Sequence, residues 1–344
     1  MALATKYLRS VRSERRLEVR KMKILITGGA GFIASSTAEK LLAFPKNQIV
    51  LVDNLITGRK ENIPQHPQCP FIKCDINIYD EIAPIMCSNK FDYVYHYAAL
   101  VGVLRTLANP RKVLDDIQGI RNILDLSKGT GVKRVFFSSS SEVYGEPVHL
   151  PQNEDTTPLN SRLPYAIVKN VGESYCRSYH QEYGLDYTIF RFFNTYGERQ
   201  SQDFVISKFM RAALNHEDIL VYGDGSQTRT FCYIDDNTDM CIRALFDERT
   251  SNQVYNVGND AMSTIIDLAR LITKKTNSSS KIIHLPPLKE GDMTRRQPDI
   301  TKMKQILGRD LVPLEVGIDL LIRSKRFETP SANQRRFLPL QSGV

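Results

Sequence analysis

The stretch KILIT-GGAGFIA-SSTAEKLLAF (residues 23–44) constrains the fold more than any other part of the chain. A short, β-branched apolar run predicts a buried strand, the glycines permit a sharp reversal, and apolar residues at helical spacing predict a helix. The same alternation continues. IVLVD (49–53), FDYVYHYAA (91–99), RVFFSSS (134–140) and YTIFRFFN (187–194) read as strands. VLDDIQGIRNILDLSKGTG (113–131) and YAIVKNVGESYCRSYHQEYG (165–184) read as helices, the second stopped by Gly184. Parallel strands need crossover connections, so the pattern predicts an α/β chain with a doubly wound parallel sheet. After Tyr196 the regularity weakens. ISKFMRAALNHEDILVYGDG and STIIDLARLITKKT are each expected to be single helices, and IIHLPPLKEGDMTRRQPDI mostly loop. This predicts a smaller C-terminal α/β lobe laid over the carboxyl ends of the strands, where ligands bind in such folds.

The expected divisions are a basic extension (1–22), a sheet domain (23–196) completed by strands from later segments, a ligand-binding lobe (197–322) and a tail (323–344). Of the net charge of +8, the first 23 residues hold eight Lys/Arg and two Glu, and the last 22 hold five Lys/Arg and one Glu. The body between them is slightly acidic. Nucleic acid is therefore not the expected partner. The leading segment reads as a basic extension, a transit-like peptide or the result of an upstream start, with two glutamates favouring the extension. Six cysteines show neither C-x-x-C pairs nor metal-ligand spacing. Reduced thiols, no metal and a cytoplasmic location are expected. No apolar run reaches membrane-spanning length.

Thr27-Gly28-Gly29-Ala30-Gly31-Phe32-Ile33-Ala34 lies between strand and helix, where a glycine turn lets a pyrophosphate approach the helix amino end. Gly28, Gly31, Phe32 and Ile33 are the candidate contacts. The strand IVLVD puts Asp53, followed by Asn54, about 20 residues beyond the motif, the distance at which a carboxylate accepts ribose hydroxyls. A 2′-phosphate would meet negative charge there, so the expected cofactor is NAD rather than NADP.

From Lys23 to about residue 322 the chain resembles the extended short-chain dehydrogenase/reductases, the Rossmann-fold nucleotide-sugar epimerase/dehydratase group. The resemblance makes Asp75 and Ile76 adenine contacts, and His96-Tyr97-Ala98-Ala99 a strand beside the nicotinamide ribose, with Ala98 and Ala99 as cofactor residues. Two departures stand out. Ala34 ends a motif that usually ends in glycine, and Asp116 stands where the group often has asparagine.

Tyr165 and Lys169 are four apart at the start of a helix, so both emerge on one face. A phenol near pKa ~10 becomes a usable base beside an ammonium, and Lys169 is expected to depress the Tyr165 pKa. Lys169 can also hold the nicotinamide ribose, and Ser140 can share the substrate oxygen. A Y-x-x-x-K pair is common by chance, but its place between VFFSSSSEVYG and FRFFNTYG matches the resemblance.

Within this group, sugar 4,6-dehydratases carry Thr-Asp-Glu where this chain has Ser140-Ser141-Glu142, and Ser141 removes the acid that expels water. Serine followed by glutamate resembles the UDP-glucuronate decarboxylases. Arg191-Phe192-Phe193-Asn194-Thr195-Tyr196-Gly197 and Arg295-Arg296-Gln297-Pro298-Asp299-Ile300 agree with that reading. Leu163-Pro164-Tyr165-Ala166-Ile167-Val168-Lys169 instead resembles the 4-epimerases. Decarboxylation of a UDP-hexuronate is the leading expectation and 4-epimerisation the alternative; a 4,6-dehydratase, a one-way reductase or a noncatalytic NAD-binding protein stands behind both. For the nucleotide sugar, Tyr222 is expected to stack on the base, Arg229 and Arg296 to clamp the diphosphate, and Asn194 to donate to a phosphate oxygen. The resemblance also implies a homodimer built on the two long helices.

Overall fold

The computed structural model describes residues 21–287, 295–324 and 327. The expected basic extension and tail lie almost wholly outside the described residues. In chain order the elements are β1 (Lys23–Thr27), α1 (Phe32–Leu41), β2 (Gln48–Asp53), β3 (Phe71–Lys73), α2 (Tyr79–Asn89), β4 (Tyr93–His96), α3 (Val103–Ala108), α4 (Pro110–Leu114), α5 (Asp116–Thr130) and β5 (Arg134–Ser140). Then come α6 (Pro164–Tyr183), β6 (Asp186–Phe192), β7 (Thr195–Tyr196), α7 (Val205–Leu214), β8 (Ile219–Tyr222), β9 (Thr228–Thr230), β10 (Cys232–Tyr233) and α8 (Ile234–Phe246). The chain continues through β11 (Gln253–Val257), β12 (Met262–Thr264), α9 (Ile265–Lys275), β13 (Ile282–Leu285), α10 (Thr301–Leu307) and α11 (Leu314–Arg323).

Seven strands form the central sheet in the order β11-β6-β5-β4-β1-β2-β3, every neighbour parallel. Strand order reverses between β1 and β4, which opens a crevice at their carboxyl ends. The strands are almost continuously apolar because both faces are covered. One face packs on α2, α5 and α6 through Ile82, Met86, Ile123, Val168 and Cys176. The other packs on α1, α8 and α10 through Ala38, Leu41, Met240, Leu245 and Met303. A third cluster, centred on Phe209, Ile219, Leu268 and Ile318, is the core of the C-terminal lobe. All six cysteines are free thiols. Among the described residues no helix is long and apolar enough to cross a membrane.

Three local expectations are corrected. The helix expected over 113–131 is two, with α4 ending at Leu114 and α5 starting at Asp116. Asp116 is held there by its side chain, whose Oδ2 accepts the Leu100 N–H at 2.7 Å. The single helix expected from Ile206 onward stops at Leu214. His216 adopts φ +57, and the chain re-enters as β8 with Ile219 and Val221 buried and Leu220 and Tyr222 outward. Part of the stretch expected as loop is β13, paired in parallel with β8. In both cases the strand is defined by a partner some sixty residues away, which local periodicity does not reveal.

Helix α6 approaches β5 closely at Gly172. A Cβ built there would come 2.8 Å from Cε1 of Phe137, a buried core ring with nowhere to retreat. Alanine gains about 1 kcal/mol over glycine in helix propensity, whereas overpacking a core costs about 1–3 kcal/mol. Collision should prevail. Gly172→Ala is expected to lower the unfolding free energy measured by urea denaturation, and an unchanged or raised midpoint would show that this packing is looser than described.

Candidate active site

The crevice at the strand ends opens into a cavity of about 1060 Å³. Its floor begins with the glycine turn. Gly28 has φ +69, and a Cβ there would lie 2.8 Å from the Ala98 nitrogen, so β1 and β4 can come together only over a residue without a side chain. Gly31 caps α1 with no side-chain acceptor, and the first turn carries no acid. The helix amino end therefore faces the cavity with its N–H groups unclaimed by any side chain, as an anion site requires. Ala34, the residue that departs from the usual glycine, is buried and lines the same wall.

Asp53 ends β2 with Oδ1 accepting Leu55 N–H at 2.7 Å and Oδ2 accepting Ala30 N–H at 3.1 Å. Burial raises its pKa while those two N–H groups pull it down. Each oxygen keeps lone pairs for ribose hydroxyls, and the charge disfavours a 2′-phosphate. Asn54 Nδ2 donates to Asp75 Oδ2 at 3.0 Å, and Asp75 and Ile76 close this end. Ala98 and Ala99 line the centre. The glycine cradle, uncapped helix and carboxylate fit NAD.

The reactive groups stand at the end of β5 and the start of α6. Ser140 accepts the Glu142 N–H at 3.2 Å and hydrogen-bonds Tyr165. Lys169 is buried, donates to Ser138 Oγ at 3.2 Å, and lies 5.7 Å from the Tyr165 ring centroid. Ser141 and Glu142 complete this wall, with Glu142 Oε1 accepting from Arg296 Nη2 at 2.7 Å. One electrostatic expectation is overturned. Burial, then the neighbouring Glu142 carboxylate, push the Tyr165 pKa well above a free phenol's, while the Ser140 hydrogen bond pulls only partly back. Tyr165 is thus held as the phenol. Burial also lowers Lys169 to about 8, opposed by the Asp116 carboxylate.

All the catalytic and cofactor candidates line the cavity, together with Asn194 and Arg296. Tyr222 and Arg229 do not. Tyr222 is on the outer face of β8, and Arg229 is buried with Nη1 donating to Thr228 O at 2.8 Å. Arg296 faces Glu142 rather than joining Arg229 in one clamp. Ser138 was not among the candidates, although a strand repeats its faces every two residues and Ser138 shares that of Ser140. Arg105, Arg199 and Phe204 also line the wall, on segments with no periodic signal.

Lys169 carries charge below about pH 8 and loses it above. Since Asp116 is the group that raises this pKa, Asp116→Asn should move the Lys169 midpoint to lower pH, read by NMR titration of ¹³C-labelled lysine. A midpoint that stays or rises would show that the carboxylate does not act on Lys169.

Known proteins resemble this chain over most of its length. The model of the NAD dependent epimerase/dehydratase family matches residues 24–258. UDP-N-acetyl-alpha-D-glucosaminuronate decarboxylase of Bacillus cytotoxicus is 38% identical over 83% of this chain and 92% of its own. UDP-glucuronic acid decarboxylase 3 of Arabidopsis thaliana is 36% identical over 87% of this chain and 88% of its own. The crystal structure of UDP-glucose 4-epimerase from Thermotoga maritima superposes with a TM-score of 0.83 at 33% identity, covering 89% of this chain and 99% of that one. A family match spanning the whole cofactor crevice and most of the sheet makes this chain a member of the NAD dependent epimerase/dehydratase family, an NAD-dependent enzyme.

Proposed function

We propose that the chain decarboxylates a UDP-linked hexuronate through transient oxidation at C4. The observation that carries this reading is the Glu142–Arg296 pair at 2.7 Å, both side chains largely buried on the cavity wall that also holds Tyr165. A carboxylate and a guanidinium beside the reacting sugar suit a substrate that brings its own carboxylate and leaves without it. The two decarboxylase relatives support the same reaction class. Residues 23–196, with β11, would hold the cofactor, and 197–322 the nucleotide sugar.

Gly28, Gly31, Phe32 and Ile33 would hold the pyrophosphate, Asp53 and Asn54 the adenosine ribose, Asp75 and Ile76 the adenine, and Ala98, Ala99, Tyr165 and Lys169 the nicotinamide ribose. When bound, NAD⁺ supplies a hydride acceptor for C4 that later returns the hydride, and its charge offsets the burial and Glu142 that hold Tyr165 protonated. Tyr165 takes the C4 hydroxyl proton, with Ser140 sharing that oxygen. The resulting C4 ketone lies β to the C5 carboxylate. The C5–carboxylate bond then breaks, CO₂ departs, and its electron pair enters the ketone as an enolate. Arg296 steadies the departing carboxylate, and a proton is delivered to C5 from Arg296 or a water held by Glu142. Tyr165 returns its proton to the C4 oxygen as the alcohol re-forms.

Epimerisation at C4 is the second reading, favoured by LPYAIVK around Tyr165 and by the likeness to the Thermotoga enzyme. It would need neither Glu142 nor Arg296 near C5. The chain would act as a homodimer through its two long helices, α5 and α6, the second of which exposes Ile167 and Tyr183.

Incubation with UDP-glucuronate, and separately with its 2-acetamido counterpart, should release CO₂ and give a UDP-pentose by mass spectrometry. A product of unchanged mass would make the enzyme an epimerase. Tyr165→Phe should cut turnover about 10²–10⁴-fold, and Glu142→Ala should impair CO₂ release more than C4 oxidation. Light scattering at micromolar concentration should give twice the mass of one chain; a monomer alone would refute the dimer.

A further inference from the structure

Asp116 stands where the epimerase/dehydratase group often has asparagine. Either side chain can accept the Leu100 N–H, which Oδ2 of Asp116 accepts at 2.7 Å. The exchange therefore keeps the hydrogen bond and adds a charge. Three features hold that charge on a partly buried group. Asp116 is in the first turn of α5, where unpaired N–H groups favour an anion. The Asn77 side chain hydrogen-bonds the carboxyl, and the buried Lys169 ammonium attracts it.

Asp116 lines the cavity with Ala98, Ala99, Tyr165 and Lys169, and its charge acts on both Tyr165 and Lys169. A nicotinamide must come within hydride reach of the carbon whose oxygen Tyr165 serves, so the ring enters the same field. The other charged groups here largely cancel or face water. Glu142 is paired with Arg296 at 2.7 Å, His96 is neutral, and Asp75 accepts from Asn54 at 3.0 Å. Lys112 and Asp115 are exposed and opposite in sign. Asparagine at position 116 would leave a buried ammonium and a cationic ring together in one poorly solvated space. Like charges so placed repel far more strongly than in water.

We propose that Asp116 sets the redox preference of the bound cofactor, its carboxylate stabilising the cationic nicotinamide of NAD⁺ over the neutral ring of NADH. A hydride taken from the substrate brings one negative charge to the ring, and Asp116 favours giving it back. Decarboxylation and epimerisation both return the hydride, so the inference holds for either. It rests on the placement of the nicotinamide beside Tyr165 and Lys169.

Exchange of NADH into the NAD-loaded full chain, followed by nicotinamide fluorescence, gives the ratio of the two affinities without turnover. At about pH 6 Lys169 keeps its charge. There Asp116→Asn should shift the ratio toward NADH by about tenfold, or about 30 mV for a two-electron couple. Lys169→Met removes the opposite charge and should shift the ratio toward NAD⁺. ADP-ribose, which lacks the nicotinamide, should bind Asp116→Asn as it binds the wild type. A shift below about threefold, or one toward NAD⁺, in Asp116→Asn while Lys169→Met responds as expected would overturn the proposal. A loss of ADP-ribose affinity as large as the shift in ratio would also overturn it, by showing that the substitution acts on geometry. If neither variant moves the ratio, the nicotinamide does not lie on this wall, and that placement falls together with the inference.

Discussion

The site depends on one buried ion pair. Glu173, on α6, is fully buried and accepts from Arg191 of β6 through both oxygens, Nε and Nη2 each at 2.8 Å. Burial alone would raise the Glu173 pKa, but the hydrogen bonds and charge of Arg191, with Ser139, hold it below the usual carboxylate range. Ser139 Oγ donates to the same carboxylate at 2.6 Å, so β5, β6 and α6 meet at one point. Arg191 Nη1 continues to the Tyr144 hydroxyl at 2.8 Å, which donates to Asn256 of β11 at 2.7 Å. Removing one partner of such a pair typically costs about 3–5 kcal/mol, since a bare charge stays behind. Here it would also release the registry between α6, which carries Tyr165 and Lys169, and β5, which carries Ser138 and Ser140. Serines of one strand thus divide the work: Ser139 points to the structural pair, while Ser138 and Ser140 point to the reactive groups.

Above that anchor, the reactive wall is a balance of charges in a poorly solvated space. Lys169 is pulled down by burial and supported by Asp116, while Tyr165 is pushed up by burial and by Glu142. Glu142 is in turn held by Arg296, which arrives from a distant part of the chain. His96, beneath the lysine, is driven to about 3 by burial and the Lys169 charge, and so stays neutral. The protein groups of this wall favour protonated Tyr165, and the tyrosine–lysine spacing alone could not reveal this. Spacing predicts which groups meet, whereas the sign of a pKa shift depends on everything else within a few ångströms.

What local pattern encodes was legible. β1 and β5 fall on the expected residues, α6 ends at Gly184 with φ +70 as a left-handed cap, and the glycine turn, Asp53, Tyr165 and Lys169 face one cavity. What depends on distant partners was not. β8 and β13 exist because they pair with each other, the helix over 113–131 breaks where Asp116 reaches Leu100, and Arg296 turns to Glu142. Tyr222 carried a family-like motif but stands on the outer face of its strand. Phe204 lines the cavity but carried no motif at all, because a residue that opens a helix after an irregular segment leaves no periodic trace.

The strand that completes the sheet comes late. β11 pairs with β6 although Asn252, at its threshold, is 65 residues beyond Tyr187, whose N–H its side chain accepts at 3.1 Å. Everything from β7 to α8 is inserted between these two neighbours. During synthesis the backbone of Thr188–Phe192 is therefore an open, strongly apolar sheet edge until residue 257 has left the ribosome. Such an edge is a template for pairing with other chains. The interval is also one in which loop closure must precede any reward from pairing. The first half of this molecule is thus a cohesive layer that cannot safely exist alone, and its protection against aggregation is encoded in its second half.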